Sequence, residues 1–275
     1  MTAAPLLPEI RLEDHPSAES ARAFFQRDRL MAAYALADID AAEIEKARWW
    51  TAVRGDVVVA CALVVEALPF RPCFATGESE ALVSIFRDGI REPRIVVATP
   101  PSGRLAVESV YRFERVEKMH RMAVSVATFR PRVSHGVTRL GPDHLDDVID
   151  LYGHASRTYF TEARLEREIY FGVYVGTTLV SAAGTHVRSR LSNIAAVGNV
   201  LTRIAYRDRG MATTVTSAVT EAALEQHRDV VLNVRQDNAP AIAVYDRLGY
   251  HVHGPFIEGP AVRRSAWDRI LGRMK

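Results

Sequence analysis

The sequence predicts a mixed α/β protein of two domains, on three observations. With 275 residues the chain is longer than one hydrophobic core usually organises. Segments with apolar residues at helical spacing alternate throughout with short runs of strand formers. Near the middle, Arg130-Pro131-Arg132 places a proline where any regular element must stop, and a new pattern opens at Val137 to Leu140. The cut falls there, giving residues 1–132 and 133–275.

In the first half, Ala18 to Leu36 carries Ala21, Phe24, Phe25, Leu30, Ala33 and Tyr34 at helical spacing, which predicts a helix. A shorter helix is expected from Asp40 to Ala47, with Asp40 as N-cap and Glu43 at the capping-box position. Val57 to Glu66 and Ile95 to Ala98 read as strands, with helical spacing over Ser79 to Asp88 between them. Pro100 to Gly103 marks a turn, and Lys118 to Ala127 reads as a further strand.

The second half opens on two expected helices, Asp143 to Tyr152 with Asp143 as N-cap and Tyr159 to Ile169. Gly172 to Val175 and Leu179 to Val187 predict two strands joined by a hairpin turn at Gly176-Thr177-Thr178. A third strand covers Ala195 to Thr202. Its interior Gly198 predicts a bulge or a close backbone approach by a ligand. There follow a helix from Gly210 to His227, a buried strand from Val230 to Val234, a helix from Ala239 to Leu248 and a strand-like stretch at Tyr250 to Val252.

Thirty-five Lys and Arg against 33 Asp and Glu leave a net charge of +2, too small to predict a nucleic-acid or membrane partner. The first 16 residues lack the apolar core of a secretory signal, and the longest apolar run, Val57 to Val65, is far too short to span a bilayer. Cys61 and Cys73 have neither C-x-x-C spacing nor a histidine cluster beside them, so no metal site is expected. A cytoplasmic protein, monomer or homodimer, fits these features.

Two segments carry candidate chemistry. In the first, Gly198-Asn199-Val200-Leu201-Thr202 leads to Arg207-Asp208-Arg209-Gly210-Met211-Ala212, a strand feeding a helix start. Unpaired amides and the positive end of the helix dipole there favour an anion such as a diphosphate. Gly210 and Ala212 are small enough to admit its oxygens, and Arg207 and Arg209 add charged donors. The other reading is a solvated helix start with two surface arginines. In the second segment, Asn238, Ala241 and Tyr245 share one helix face and Gly249 ends the helix. Asn238 reads equally as an N-cap, and Tyr245 as a core aromatic.

Taken together, the segments resemble the GNAT superfamily of acyl-CoA N-acyltransferases. Arg207-x-x-Gly210-x-Ala212 fits the family's Q/R-x-x-G-x-G/A loop, and Asn238, Ala241, Tyr245 and Leu248-Gly249-Tyr250 fit its later signature. The match covers residues 137–250. The resemblance implies tandem domains, each a mixed, mostly antiparallel central sheet flanked by helices, the first degenerate and the second catalytic. It implies acetyl-CoA as co-substrate, its pantetheine arm paired with the backbone of Val200, Leu201 and Thr202. The amides of Arg207, Asp208, Arg209, Gly210, Met211 and Ala212 would hold the pyrophosphate, and Asn238 and Ala241 would line the cofactor. Tyr245 would protonate the departing thiolate.

N-acylation also needs a base for the amine, and Ile194 to Thr202 contains no carboxylate. Water held by Asn199 or by backbone carbonyls and the imidazole of His186 are the candidates, although His186 reads more readily as an ordinary polar residue at a strand end. Arg188, Arg190 and Arg203 would favour an anionic acceptor, serve a coenzyme phosphate, or do neither. Glu162 and Glu166 read as a solvated helix face. The expected acceptor is a small-molecule primary amine, and the competing reading is a catalytically silent acyl-CoA sensor.

Overall fold

Strands buried on both faces set the architecture, and β3 (Val57–Val65) shows how. Its Cys61 and Leu63 join one apolar cluster while Ala60, Ala62 and Val64 join another, so period-two alternation appears in the sequence as an unbroken apolar run. The computed structural model describes residues 9–40 and 47–265. These divide into two compact units, one made of the described residues within 9–119 and 255–265, the other of residues 120–254.

In the first unit, β1 (Ile10–Asp14), β2 (Ala47–Arg54), β3, β4 (Pro72–Gly77), β5 (Arg94–Thr99) and the long C-terminal strand β13 (His251–Arg263) lie in that order. All neighbours are antiparallel except β4 and β5. A three-residue strand, β6 (Tyr111–Phe113), also pairs with β13. Helices α1 (Ala18–Phe25) and α2 (Ala33–Asp40) cover one face, burying Phe25 and Leu36 against Trp49 and Leu63. The other face receives α3 (Ser79–Ser84), a π-helical turn at Ile85–Gly89, and α4 (Arg104–Val110), whose Leu82, Phe86 and Val107 pack with Trp50. Full burial of each such side chain contributes roughly 1.5–3 kcal/mol.

The second unit repeats this plan. Its strands run β8 (Thr138–Arg139), β9 (Tyr170–Val175), β10 (Thr178–Ser189), β11 (Ile194–Thr202), β12 (Asp229–Arg235) and then β7 (Glu117–Ser125). Again the fourth and fifth strands of the plan, β11 and β12, are parallel. Helices α5 (Leu145–Tyr152) and α6 (Glu162–Arg167) cover one face through Val148, Leu151 and Leu165. On the other lie α7 (Met211–Leu224) and α8 (Ala239–Arg247), contributing Val215, Val219, Tyr245 and, just past the end of α8, Leu248.

The compact units therefore do not part at 132/133. Each sheet ends in a strand supplied by the other half of the sequence, β13 for the first unit and β7 for the second. Local patterning cannot reveal such an exchange. The expected helix Ala18 to Leu36 is broken in two, because Asp28 accepts a bond from the Met31 amide (3.2 Å) and turns the chain. Asp40 is the last residue of α2 and bonds Arg22 (2.7 Å), so it is not an N-cap; residues 41–46 of the expected following helix lie outside the described residues. Asp143 sits inside a 3₁₀ turn, Pro142–His144, ahead of α5. The expected helix from Tyr159 shortens to α6, which Thr161 caps at the Arg164 amide (3.2 Å). Strands β1, β2, β4 and β6 and helix α4 were not expected. Tyr250 to Val252 leads into a strand of 13 residues, hidden in the sequence by Gly254, Pro255, Gly259 and Pro260.

Candidate active site

The hairpin that carries the site is set by Gly176, whose φ of 59° starts the two-residue turn between β9 and β10. Along β10 and β11 the ladder slips twice. Between Ala182↔Leu201 and Gly184↔Gly198 the extra residue is on β11, and Asn199 there has φ 51°. Between Thr185↔Val197 and Val187↔Ala196 the extra residue is on β10, at His186. The bulge expected at Gly198 is therefore present, but the space left by the missing side chain is filled from within. A Cβ on Gly198 would fall 2.5 Å from the His186 ring.

Past this point β11 separates from β12. Their parallel pairing runs only from Ile194↔Asp229 to Val197↔Leu232, while β11 continues beside β10 to Thr202. The edge of β11 from Gly198 onward is left without a β12 partner among the described residues. Val200 faces the α7 side and Leu201 the α5 side, both half-buried; Thr202 is buried, its hydroxyl 2.8 Å from that of Ser181.

From Thr202 the chain passes through a 3₁₀ turn, Ile204–Tyr206, into an exposed loop. Asp208 (φ 61°) and Gly210 (φ 77°) both adopt the left-handed region, the alternation that turns successive amides into a concave anion nest. The first bond of α7 is from the Thr214 amide to the Gly210 carbonyl (3.0 Å), so the amides of Met211, Ala212 and Thr213 precede the helical ladder. Arg207 bonds the Thr202 carbonyl (3.3 Å), and Arg209 stacks on Tyr206 (5.5 Å to the centroid). Motif reading missed a neighbour: Ser134 Oγ is 3.1 Å from where a Gly210 side chain would begin, and it bonds Thr214 Oγ1 (3.1 Å) and His135 Nδ1 (3.0 Å).

Asn238 does cap α8, accepting from the Ala241 amide (3.3 Å). Tyr245 is buried among Met211, Val234, Leu248 and Tyr250, and its hydroxyl has no bond to another described residue. Burial pushes its pKa up to about 12, so the phenol keeps its proton.

Around the bulge the structure assembles a cluster that no linear motif announced. Asn199 Nδ2 donates to the hydroxyls of Tyr159 (3.1 Å) and Tyr170 (3.0 Å). Tyr152 donates to the Asn199 carbonyl. Arg164 lies 3.9 Å from the Tyr159 ring centroid and donates to both phenols. Burial holds His186 below the ordinary histidine pKa, with a bond to Asn199 acting the other way. The usable signal in the sequence is Gly184, where a Cβ would fall 2.1 Å from the Tyr170 ring.

A buried carboxylate does exist in this unit, two residues before β9 rather than on β11. Glu168 accepts from Thr185 (2.8 Å), Arg167 (3.2 Å) and Arg188 (3.2 Å). Arg188 is thereby paired, and Arg203 is held by Asp150 (2.6 Å), so neither is free to attract an acceptor. Glu166 is exposed, as expected of a solvated helix face; Glu162 is exposed too and helps line a cavity of about 370 Å³ with Leu145, Ile149 and Phe160. Among the described residues no group of three His, Cys, Asp or Glu side chains could hold a metal, and no helix is long and apolar enough to cross a membrane.

The equivalent position in the first unit is built differently. Its β4 keeps an unbroken register with β3, from Ala60↔Gly77 to Val64↔Cys73. Only Glu78 separates β4 from α3, and its amide is spent on the Val59 carbonyl (3.0 Å). Glu78 and Glu80 flank the helix start, both bridged to Arg54 (3.0 and 3.3 Å). Carboxylates there repel a phosphate.

Comparison with known proteins bears on the fold. The family model of FR47-like proteins matches residues 170–255. No curated protein sequence matches the chain. Among solved structures, a Drosophila protein aligns over 94% of this chain and 99% of its own at 11% identity, with a TM-score of 0.66. A GCN5-related N-acetyltransferase from Sphaerobacter thermophilus covers 94% and 98% at 18% identity (TM-score 0.54). A tandem GNAT protein from the clavulanic acid biosynthesis pathway covers 93% and 98% at 12% identity (TM-score 0.54). Identities this low speak for the fold alone. The chain is a GNAT-fold protein, with a mostly antiparallel sheet flanked by helices in each unit. Residues 170–255, from β9 to the start of β13, are its FR47-like segment.

Proposed function

We propose that the second unit is an N-acyltransferase, passing an acetyl group from acetyl-CoA to the primary amine of a small molecule. One observation carries this reading: the unpaired edge of β11 leads, through a loop with two left-handed residues, to the free amides at the start of α7. An edge strand and an anion nest in series suit a ligand with a peptide-like arm and a diphosphate.

In this reading, Val200, Leu201 and Thr202 pair with the pantetheine arm, and the amides of Asp208 to Ala212 hold the pyrophosphate; the Arg207 amide, expected among them, is taken by the Ile204 carbonyl (3.3 Å). The coenzyme supplies an activated acyl group on a sulfur leaving group. The protein positions that group and manages two protons. Tyr245, protonated because it is buried, donates from its hydroxyl to the sulfur. His186, neutral because it is desolvated, accepts the amine proton directly or through water at Asn199. Asn238 keeps its capping role with its amide nitrogen available to the cofactor.

Calorimetry with coenzyme A and acetyl-CoA tests the binding half, and thiol release with a panel of amines tests transfer. Binding without release in any amine would instead identify a silent acyl-CoA sensor. No heat with either ligand would remove the proposal.

A further inference from the structure

Arg164 is a half-buried cation whose hydrogen-bond partners are all neutral, the Glu168 carboxylate acting on it only through space. It donates from Nε to Tyr170 Oη (3.4 Å), from Nη2 to Tyr159 Oη and to the His186 carbonyl (3.0 Å), and it lies over the Tyr159 ring. Its neighbours differ. Arg167 and Arg188 share Glu168, whose oxygens also take the Thr185 hydroxyl, and Arg203 has Asp150. Removing a guanidinium from water without a directly bonded counter-charge is costly, and proteins ordinarily pair such a group.

The two phenols sharpen the point. Each hydroxyl oxygen accepts from both Arg164 and Asn199, which fills its two lone pairs, so the phenols can add to the cluster only as donors. The cluster thus presents a planar cation and phenol donors with no carboxylate hydrogen-bonded to them, a donor set that matches an acceptor-only planar anion. Asn199, which anchors the cluster, immediately precedes the edge residues Val200 to Thr202.

We infer that Arg164, with Tyr159 and Tyr170, binds a carboxylate carried by the acceptor, making the substrate an amino-carboxylate rather than a simple amine. This rests on the acyltransferase reading for the amine's fate, but the anion site can be tested separately. The experiment compares matched pairs, alanine, β-alanine and glutamate against their amides, in two readouts. Thiol release from acetyl-CoA should give the carboxylates a kcat/KM at least about tenfold higher. Calorimetry of the N-acetylated pairs, with and without coenzyme A, should show the carboxylates binding at least about tenfold tighter.

Arg164→Gln should raise KM for the carboxylates at least about tenfold and abolish the preference, leaving coenzyme A affinity unchanged as proof of folding. Arg164→Lys should restore part of the preference, since it keeps charge but loses the fork. Amides that bind as well as their carboxylates, or N-acetyl carboxylates that give no heat, would overturn the inference in the wild-type protein, whatever the variants do. Failure of coenzyme A to bind would strike at the acyltransferase reading, while the carboxylate titration alone would still decide this one.

Discussion

At the scale of single residues, the proposed chemistry depends on two groups whose protonation state burial sets, Tyr245 held protonated and His186 held neutral. Tyr245→Phe should lower turnover about 10–100-fold while coenzyme A affinity stays unchanged, because it removes a donor and leaves the packing against Tyr250. Steady-state kinetics alongside calorimetry checks this, and an unaltered rate would take Tyr245 out of the mechanism. His186 carries a stability consequence with a definite sign. Its folded-state pKa lies below the ordinary 6.5, so the unfolded chain takes up a proton first as the solution is acidified. Stability is retained above that value and falls as pH drops through it toward the folded-state pKa. His227 is shifted in the same direction, also chiefly by burial. Replacing His186 by Gln should reduce, without removing, the loss of denaturation midpoint between about pH 7 and pH 5. An identical pH profile in variant and wild type would show that the imidazole is not desolvated.

At the scale of elements, two glycines do different work. Gly210 begins α7 at φ 77°, where a side chain is strained, and a Cβ would press on Ser134 Oγ at 3.1 Å. Gly210→Ala should cost about 1–2 kcal/mol of stability and weaken coenzyme A binding, read by thermal unfolding and calorimetry. Full cofactor affinity in a folded variant would place the phosphate elsewhere. Gly198 instead makes room for the His186 ring, so Gly198→Ala should displace the imidazole and disturb the pH profile. The second half was legible at this scale. The β9–β10 hairpin, the bulge in β11 and the helix that Asn238 caps each leave a local signature in Gly176, Gly198 and Asn238. The first half was less so. Asp28 breaks a continuous helical pattern through its side chain, and β4 hides behind Pro72 and Gly77.

For the whole molecule, the exchanged closing strands mean that sequence halves and folding units differ. A fragment of residues 133–275 would lack β7, leaving the edge of β12 and the apolar contacts of Met122 and Val124 uncovered. It should aggregate or stay unfolded by circular dichroism and gel filtration, and co-expression with residues 1–132 should rescue it. A folded, monomeric fragment would show that β7 is dispensable.

By itself the sequence determined the alternation of helices and strands, the two-unit count and the spacing of the motifs from Arg207 to Ala212 and from Asn238 to Tyr250, because those depend on patterns over a few residues. Only the tertiary structure decided which strand closes each sheet, which arginines are already paired and which groups surround Asn199. Tyr152, Tyr159, Arg164, Tyr170 and His186 lie up to 47 positions from Asn199 in sequence, and strand pairing with its two bulges brings them together. The physical reason is that backbone propensity is local, whereas ladder register, desolvation and ion pairing belong to contacts the chain makes only once it is folded.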